Sequence, residues 1–437
     1  MKNYFVIGVG GCGNKVVSQG VSSGIISKNN YLLMNSTNKD VPDGFKSIIF
    51  SDDGDYGCAK NRAASKALFT QWLKNGGADT LSDTIAEDVD CVIVINSTEG
   101  GTGSGAADII CKFIAEDLGV PSVINIPIFG FADSTAGCLN SLEYMKDFGE
   151  NIAILPFSNS KAQKTFETVG VNTFKTEKQV NDLVLKQVAA ILGQDIKASD
   201  QNIDAADHLA IIGNPGLMFI STIDLTDIRD INKFNSAIIS SIAQSIGFDI
   251  DPSLTTSRAK MGIYLNITEG RLDYIGNDFS ALKKRLFGDY TPSSFLHKQY
   301  DAAYGEFARV IISGLEIPIN EATKLKSSIE QESIKSTNGN SFFDQIGDIN
   351  VQVEDAPRRR RASSGGSFLD SLDSTPVTAN AETEQVLANR GSNRSTRRMA
   401  PRATSTTAQA PAKSNVATSS GSPLVSNNGG KKQIISQ

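Results

Sequence analysis

Glu99-Gly100-Gly101-Thr102-Gly103-Ser104-Gly105-Ala106 combines an adaptable backbone with two hydroxyls, a combination that can hold phosphate oxygens. Free backbone N–H groups supply the hydrogen bonds, and Thr102 and Ser104 add donors. No lysine follows, so the run is not a Walker A loop; a Gly/Ser turn of this kind also serves as a plain connection. A second run, Gly8-Val9-Gly10-Gly11-Cys12-Gly13-Asn14, has the GxGxxG spacing of a dinucleotide loop. A third, residues 51–60, leads from Asp52-Asp53-Gly54-Asp55 into Gly57-Cys58-Ala59-Lys60. Asn202, Asp204 and Asp207 put an amide and two carboxylates within six residues, as an acidic surface loop also would.

The elements around these runs indicate how they are held. Residues 91–96 are an apolar, β-branched run read as a buried strand, and from residue 107 to 118 apolar positions return at helical spacing. Strand, glycine loop and helix in that order aim the positive end of a helix dipole at an anion. Residues 4–7 form a strand before the first glycine run, with a helix from about Lys15. Residues 61–73 read as a helix, and 31–34, 122–126 and 151–155 as further strands. The alternation predicts an α/β fold with a doubly wound, mostly parallel sheet and its loops gathered at one end. A long helix is expected over 177–192. Beyond it, strands at 217–223 and 261–267 alternate with helices at 234–246, 278–287 and 319–335, a second, smaller α/β domain. The expected divisions are 1–176, 177–200, 201–335 and a tail, 336–437.

Composition narrows the function. The chain has 437 residues and a net charge of −6. Residues 357–437 hold 12 Lys/Arg against 4 Asp/Glu, so the body carries −14, which argues against a DNA-coating globule. The tail, rich in Ser, Thr, Ala, Asn and Gly, is expected to be a disordered tether with an end-to-end distance of roughly 50 Å. Five scattered cysteines without a CxxC pair suggest buried thiols in a reducing, cytoplasmic setting. His208 and His297 stand alone, which argues against a zinc site or a histidine triad. No run approaches a membrane span, and the N-terminus does not read as a signal peptide.

Taken together, the run Gly10 to Asn14, the Gly-Gly-Thr-Gly-Ser-Gly of Gly100 to Gly105, and Asn202, Asp204 and Asp207 after a long helix resemble the tubulin/FtsZ superfamily. The resemblance runs in order across roughly residues 1–330. It implies a GTP-binding domain and a second domain flanking a central helix. Gly10, Gly11, Cys12, Asn14 and the residues from Gly100 through Gly101, Thr102, Gly103 and Ser104 to Gly105 would cradle the phosphates of GTP or GDP. Gly57, Cys58 and Ala59 would reach the γ-phosphate, with Lys60 a solvated lysine at a helix start. Asn159 and Asp182 match positions that hold the base; a carboxylate accepts from both N1–H and the exocyclic amine of guanine, which favours GTP. Lys178 stands where relatives have a stacking aromatic. Asp133 is the nearest acid in an altered ribose loop, and Glu99 stands where relatives carry Gly or Ala.

By the same resemblance, Asn202, Asp204 and Asp207 would act on the nucleotide of the next subunit in a head-to-tail homopolymer, orienting the attacking water while Mg²⁺ neutralises the phosphates. No residue is assigned to the metal. The altered ribose loop and basic tail look most like plasmid- and phage-encoded relatives, the TubZ and PhuZ types, which implies a filament that moves or positions DNA or a phage assembly. The tail could contact an adaptor protein, DNA or neighbouring filaments. The alternatives are an FtsZ-like division-ring protein, a non-polymerising NAD-binding oxidoreductase and a structural adaptor worked by its tail. NAD binding calls for an acid at the end of the second strand; Asn35-Ser36-Thr37-Asn38 stands there instead.

Overall fold

The computed structural model describes residues 3–51, 57–167, 173–196, 203–268, 270, 275 and 278–336. Its centre is a run of parallel strands buried on both faces. Every residue of β1 (Tyr4–Val9) and β5 (Ser122–Phe129) is buried, and so is all of β4 (Cys91–Ser97) except Ser97. Such strands read as continuous apolar runs because helices cover both sides.

Alternate side chains divide between two cores. Val6, Leu33, Ile93, Ile95 and Ile126 pack with Val16 and Val17 of α1 (Gly10–Ser22) and Val184 and Val188 of α7 (Thr173–Ile191). Their neighbours Phe5, Ile7, Val92 and Val94 face Phe69 of α2 (Arg62–Trp72) and Ile110 and Phe113 of α4 (Gly101–Glu116). The helices α3 (Ala78–Thr84) and α5 (Thr135–Lys146) were not expected from the sequence. A third core joins Leu217 and Phe219, Ile263 and Leu265, and Val310 and Ile312 to Phe234 and Ile238 of α9 (Ile231–Ala243) and Leu282 of α10 (Ser280–Phe287).

The described strands form one sheet in the order β10-β9-β11-β8-β6-β5-β4-β1-β2-β3, with β7 (Phe157–Ser158) pairing β5 off that path. The half containing β2 (Tyr31–Asn35), β3 (Ser47–Ile49) and β6 (Ala153–Ile154) is parallel. Parallel pairing of β6 with β8 (Gly216–Asp224) carries the sheet into the second half. There β11 (Phe307–Leu315) runs antiparallel to both β8 and β9 (Lys260–Asn266), while β10 (Ser293–Gln299) is parallel to β9. The α/β class, the mostly parallel sheet and the long central helix agree with expectation.

Several boundaries differ. The helices expected at residues 15 and 107 begin at Gly10 and Gly101, because the glycines that read as loop form first turns. The central helix begins at Thr173, and the strand expected over 151–155 is only Ala153–Ile154 before Pro156. The strands β3, β10 and β11 were not read from the sequence. Asn202, residues 52–55 and the tail from residue 337 lie outside the described residues. No helix among the described residues is long and apolar enough to cross a membrane.

Candidate functional site

Adjacent strands β1 and β4 each pass into a helix, and the two helix starts meet. Gly10 has φ +72, and a Cβ there would stand 3.0 Å from the Gly103 nitrogen. A Cβ on Gly13 would lie 2.0 Å from the Ile95 carbonyl oxygen, and one on Gly103 2.8 Å from that of Ser97. Gly101 and Gly105 are equally tight, against the Asn61 nitrogen (2.9 Å) and the Arg62 carbonyl oxygen (2.6 Å). These glycines let helices and strands close on one another. Gly100 differs, with nothing within 4 Å of its missing Cβ.

Neither helix start is capped by a side chain, whereas Asn61, Ser134 and Asp230 cap α2, α5 and α9. Two convergent first turns with N–H groups uncapped by side chains favour an anion by hydrogen bonding and by dipole. The hydroxyls have partners within the chain. Thr102 Oγ1 pairs with Ser36 Oγ at 2.8 Å, and Ser104 donates back to the Gly100 carbonyl. Cys12 and Gly11 lie in the first turn of α1, and the exposed Asp40, which the sequence reading passed over, approaches within 3.3 Å of where a Gly11 Cβ would stand.

Beside this cradle lie buried amides without partners. Asn14 is fully buried, yet neither its Oδ1 nor its Nδ2 is hydrogen-bonded; Asn159 Oδ1, at the start of α6 (Asn159–Glu167), is also alone. Each unpaired buried polar group costs about 1–3 kcal/mol. A ligand with polar edges would remove that cost, so these residues fit a nucleotide. Asp182, on α7, accepts from Gln19 Nε2 at 2.5 Å through Oδ1.

The segment 57–60 closes one side. Ala59 and Lys60 adopt φ +47 and +61, a region L-residues enter at a cost, and Asn140 Nδ2 holds them by donating to the Lys60 carbonyl at 2.8 Å. The same nitrogen donates to the Glu99 carbonyl at 3.0 Å, and Lys60 Nζ reaches Ser134 Oγ at 3.3 Å. Lys60 is exposed, and this contact sets its side chain beside the N-cap of α5. Gly57 lies near Thr37, Cys58 is buried, and Asp133 is exposed. No group of three or more His, Cys, Asp or Glu side chains is arranged to hold a metal among the described residues.

The acids after the central helix have a local role. Asp204 Oδ1 accepts from the Asp207 N–H at 2.7 Å, and Asp207 Oδ2 from the Asp204 N–H at 3.4 Å, a capping box that starts α8 (Ala205–Ile212). This helix lies at the amino ends of the strands: a Cβ on Gly213, just after it, would stand 2.5 Å from Oγ of Ser122, the first residue of β5. The glycine cradle lies at the carboxyl ends, about 25 Å along a strand of eight residues. Buried His208 fastens α8 in place. Its Nε2–H donates to the Ile191 carbonyl at 2.7 Å, and its Nδ1 accepts from Tyr264 Oη at 2.8 Å. Burial pushes the imidazole pKa down to about 4.

Two convergent helix starts at the carboxyl edge of strands ordered 3-2-1-4-5-6 also describe dinucleotide folds, so topology alone does not select the ligand. No family model matches the chain. The chain is 25% identical over 270 residues to the cell division protein FtsZ of Wigglesworthia glossinidia brevipalpis, a match spanning 60% of this chain and 65% of that relative. Among solved structures, the tail-truncated TubZ of Clostridium botulinum phage c-st superposes with a TM-score of 0.58 at 19% identity, covering 76% of this chain and 97% of that one. A GTPγS-form protofilament of Bacillus thuringiensis serovar israelensis TubZ gives 0.60 at 17% identity, covering 76% and 93%. The chain has the tubulin/FtsZ fold.

Proposed function

We propose that the protein is a GTPase that assembles head to tail into filaments and completes its catalytic site between subunits. The observation that carries this reading is the separation of parts. The cradle of α1 and α4 lies at the carboxyl ends of the strands, while α8, which Asp204 and Asp207 start, packs at the amino ends. One chain then keeps its phosphate site and this acid pair apart. Stacking that brings the α8 end of one subunit onto the cradle of the next joins them, and a heterologous contact that does not close yields a filament. The FtsZ relative and the GTPγS protofilament of TubZ support the reading.

In this mechanism Asn14 and the N–H groups of the first turns of α1 and α4 hold the phosphates, and Asn159 and Asp182 hold the guanine. Asp204 and Asp207, with Asn202, orient the attacking water from the neighbouring subunit. Mg²⁺, when bound with the nucleotide, offsets phosphate charge. The work is positioning and electrostatics. The similarity to a phage TubZ and the basic tail favour a filament that moves or positions DNA or a phage assembly over a division ring.

Asp204→Asn tests the acid without removing the cap, because asparagine caps helices as well as aspartate. The variant is expected to bind GTP and sediment with it like the wild type, while hydrolysis falls at least about a hundredfold. Hydrolysis within threefold of wild type would remove Asp204 from the mechanism. Thermal stabilisation by NAD and not by GTP would favour the oxidoreductase alternative.

A further inference from the structure

A carboxylate directly before a phosphate cradle is electrostatically unfavourable, yet Glu99 immediately precedes Gly100, the N-cap of α4. Its side chain turns aside into the segment after β5. Oε1 accepts from the Ala132 N–H at 2.9 Å. The carboxyl carbon occupies space vacated by two glycines: a Cβ on Gly130 would stand 2.1 Å from it, and one on Gly137 3.1 Å. Ala132 sits at φ +57, so a side-chain acceptor holds a backbone conformation that alanine adopts at a cost. Burial raises the carboxyl pKa, the Ala132 N–H and the Lys60 ammonium pull it down, and Asp133 pushes it up.

The held segment has a second anchor, since the Ser160 N–H donates to the Gly130 carbonyl at 3.1 Å. Residues 130–133 are therefore suspended between Glu99, at the phosphate cradle, and the start of α6, where Asn159 Oδ1 is unpaired. The sugar of a nucleotide lies between its phosphates and its base. In a nucleotide held this way the segment would face the sugar, and it carries the exposed Asp133, a carboxylate able to accept from a sugar hydroxyl.

We propose that Glu99 is a positioning residue for sugar selectivity: by holding the Ala132 N–H it presents residues 130–133 to the ribose, and the preference for a ribonucleotide over a deoxyribonucleotide passes through it. The proposal rests on the GTP reading above. Glu99 thereby ties together three segments, 57–60 through the Asn140 bridge, the start of α4, and 130–133.

Equilibrium binding of GTP, 2′-deoxy-GTP and ATP to the full chain tests it. The wild type is expected to prefer GTP over 2′-deoxy-GTP about tenfold, the worth of one good hydrogen bond. Glu99→Ala should bring that ratio to within twofold of one while leaving the GTP-to-ATP ratio unchanged; general loosening of the site would move both. Glu99→Gln, which keeps the Oε1 acceptor, should retain the sugar preference. If Glu99→Ala does not melt as a folded protein, Gly130→Ala, which displaces the carboxylate, is read by the same ratio. A preserved ratio in the variant that is read, or equal binding of both sugars by the wild type, would overturn the proposal and leave the GTP reading standing. A wild type that binds no guanine nucleotide would overturn both.

Discussion

Asp204 and Asp207 serve two purposes in this account, and the capping box explains why a simple alanine variant would mislead. Removing the Asp204 side chain costs about 1 kcal/mol of α8 capping whether or not the carboxylate also acts on nucleotide. His208, one turn along, carries a pH dependence of its own. Its pKa is about 4 when folded and ordinarily about 6.5, so above that value both states are neutral and the residue adds no dependence. As pH falls from 6.5 toward 4, only the unfolded chain takes up the proton, and the folded state loses up to about 3 kcal/mol. His208→Gln should flatten the decline in chemical-denaturation stability between pH 7 and pH 4.5. An unchanged decline would show that other groups carry it. Sequence marked the acids by type and spacing, but not Asn140, which looks like any helix asparagine until the fold brings it against Lys60 and Glu99.

At the scale of elements, the decisive feature is that β1 runs straight into α1 and β4 reaches α4 through only residues 98–100. Glycine is a breaker in a sequence, so the first turns of α1 and α4 read there as loop. Tertiary packing reverses that, because two helix starts can meet only where side chains are absent. Gly13→Ala should therefore destabilise the protein by about 3 kcal/mol, since its Cβ would meet a backbone oxygen at 2.0 Å. Gly100→Ala should change stability by no more than about 1 kcal/mol, because its φ of −74 suits alanine and its side is open, yet weaken GTP binding at least about tenfold. Thermal melts with and without GTP separate the two, and Gly100→Ala with wild-type affinity would mean that the open side does not face the ligand. The parallel half of the sheet was legible because its strands are unbroken apolar runs. Polar β10, Ser293–Gln299, and the short β3 lack that signal and owe their place to neighbours already in the sheet.

For the whole molecule, one sheet runs unbroken from β3 to β10 among the described residues, with α7 packed along it. That continuity sets the cradle and α8 at opposite edges of the sheet. An individual subunit is in this view an incomplete enzyme, and its activity belongs to the contact between copies. GTP turnover per subunit, measured while the protein concentration is varied through the range where sedimentable polymer first forms, tests this most directly. The account predicts negligible turnover below that concentration and a steep rise above it. Turnover per subunit that stays constant on dilution would contradict it.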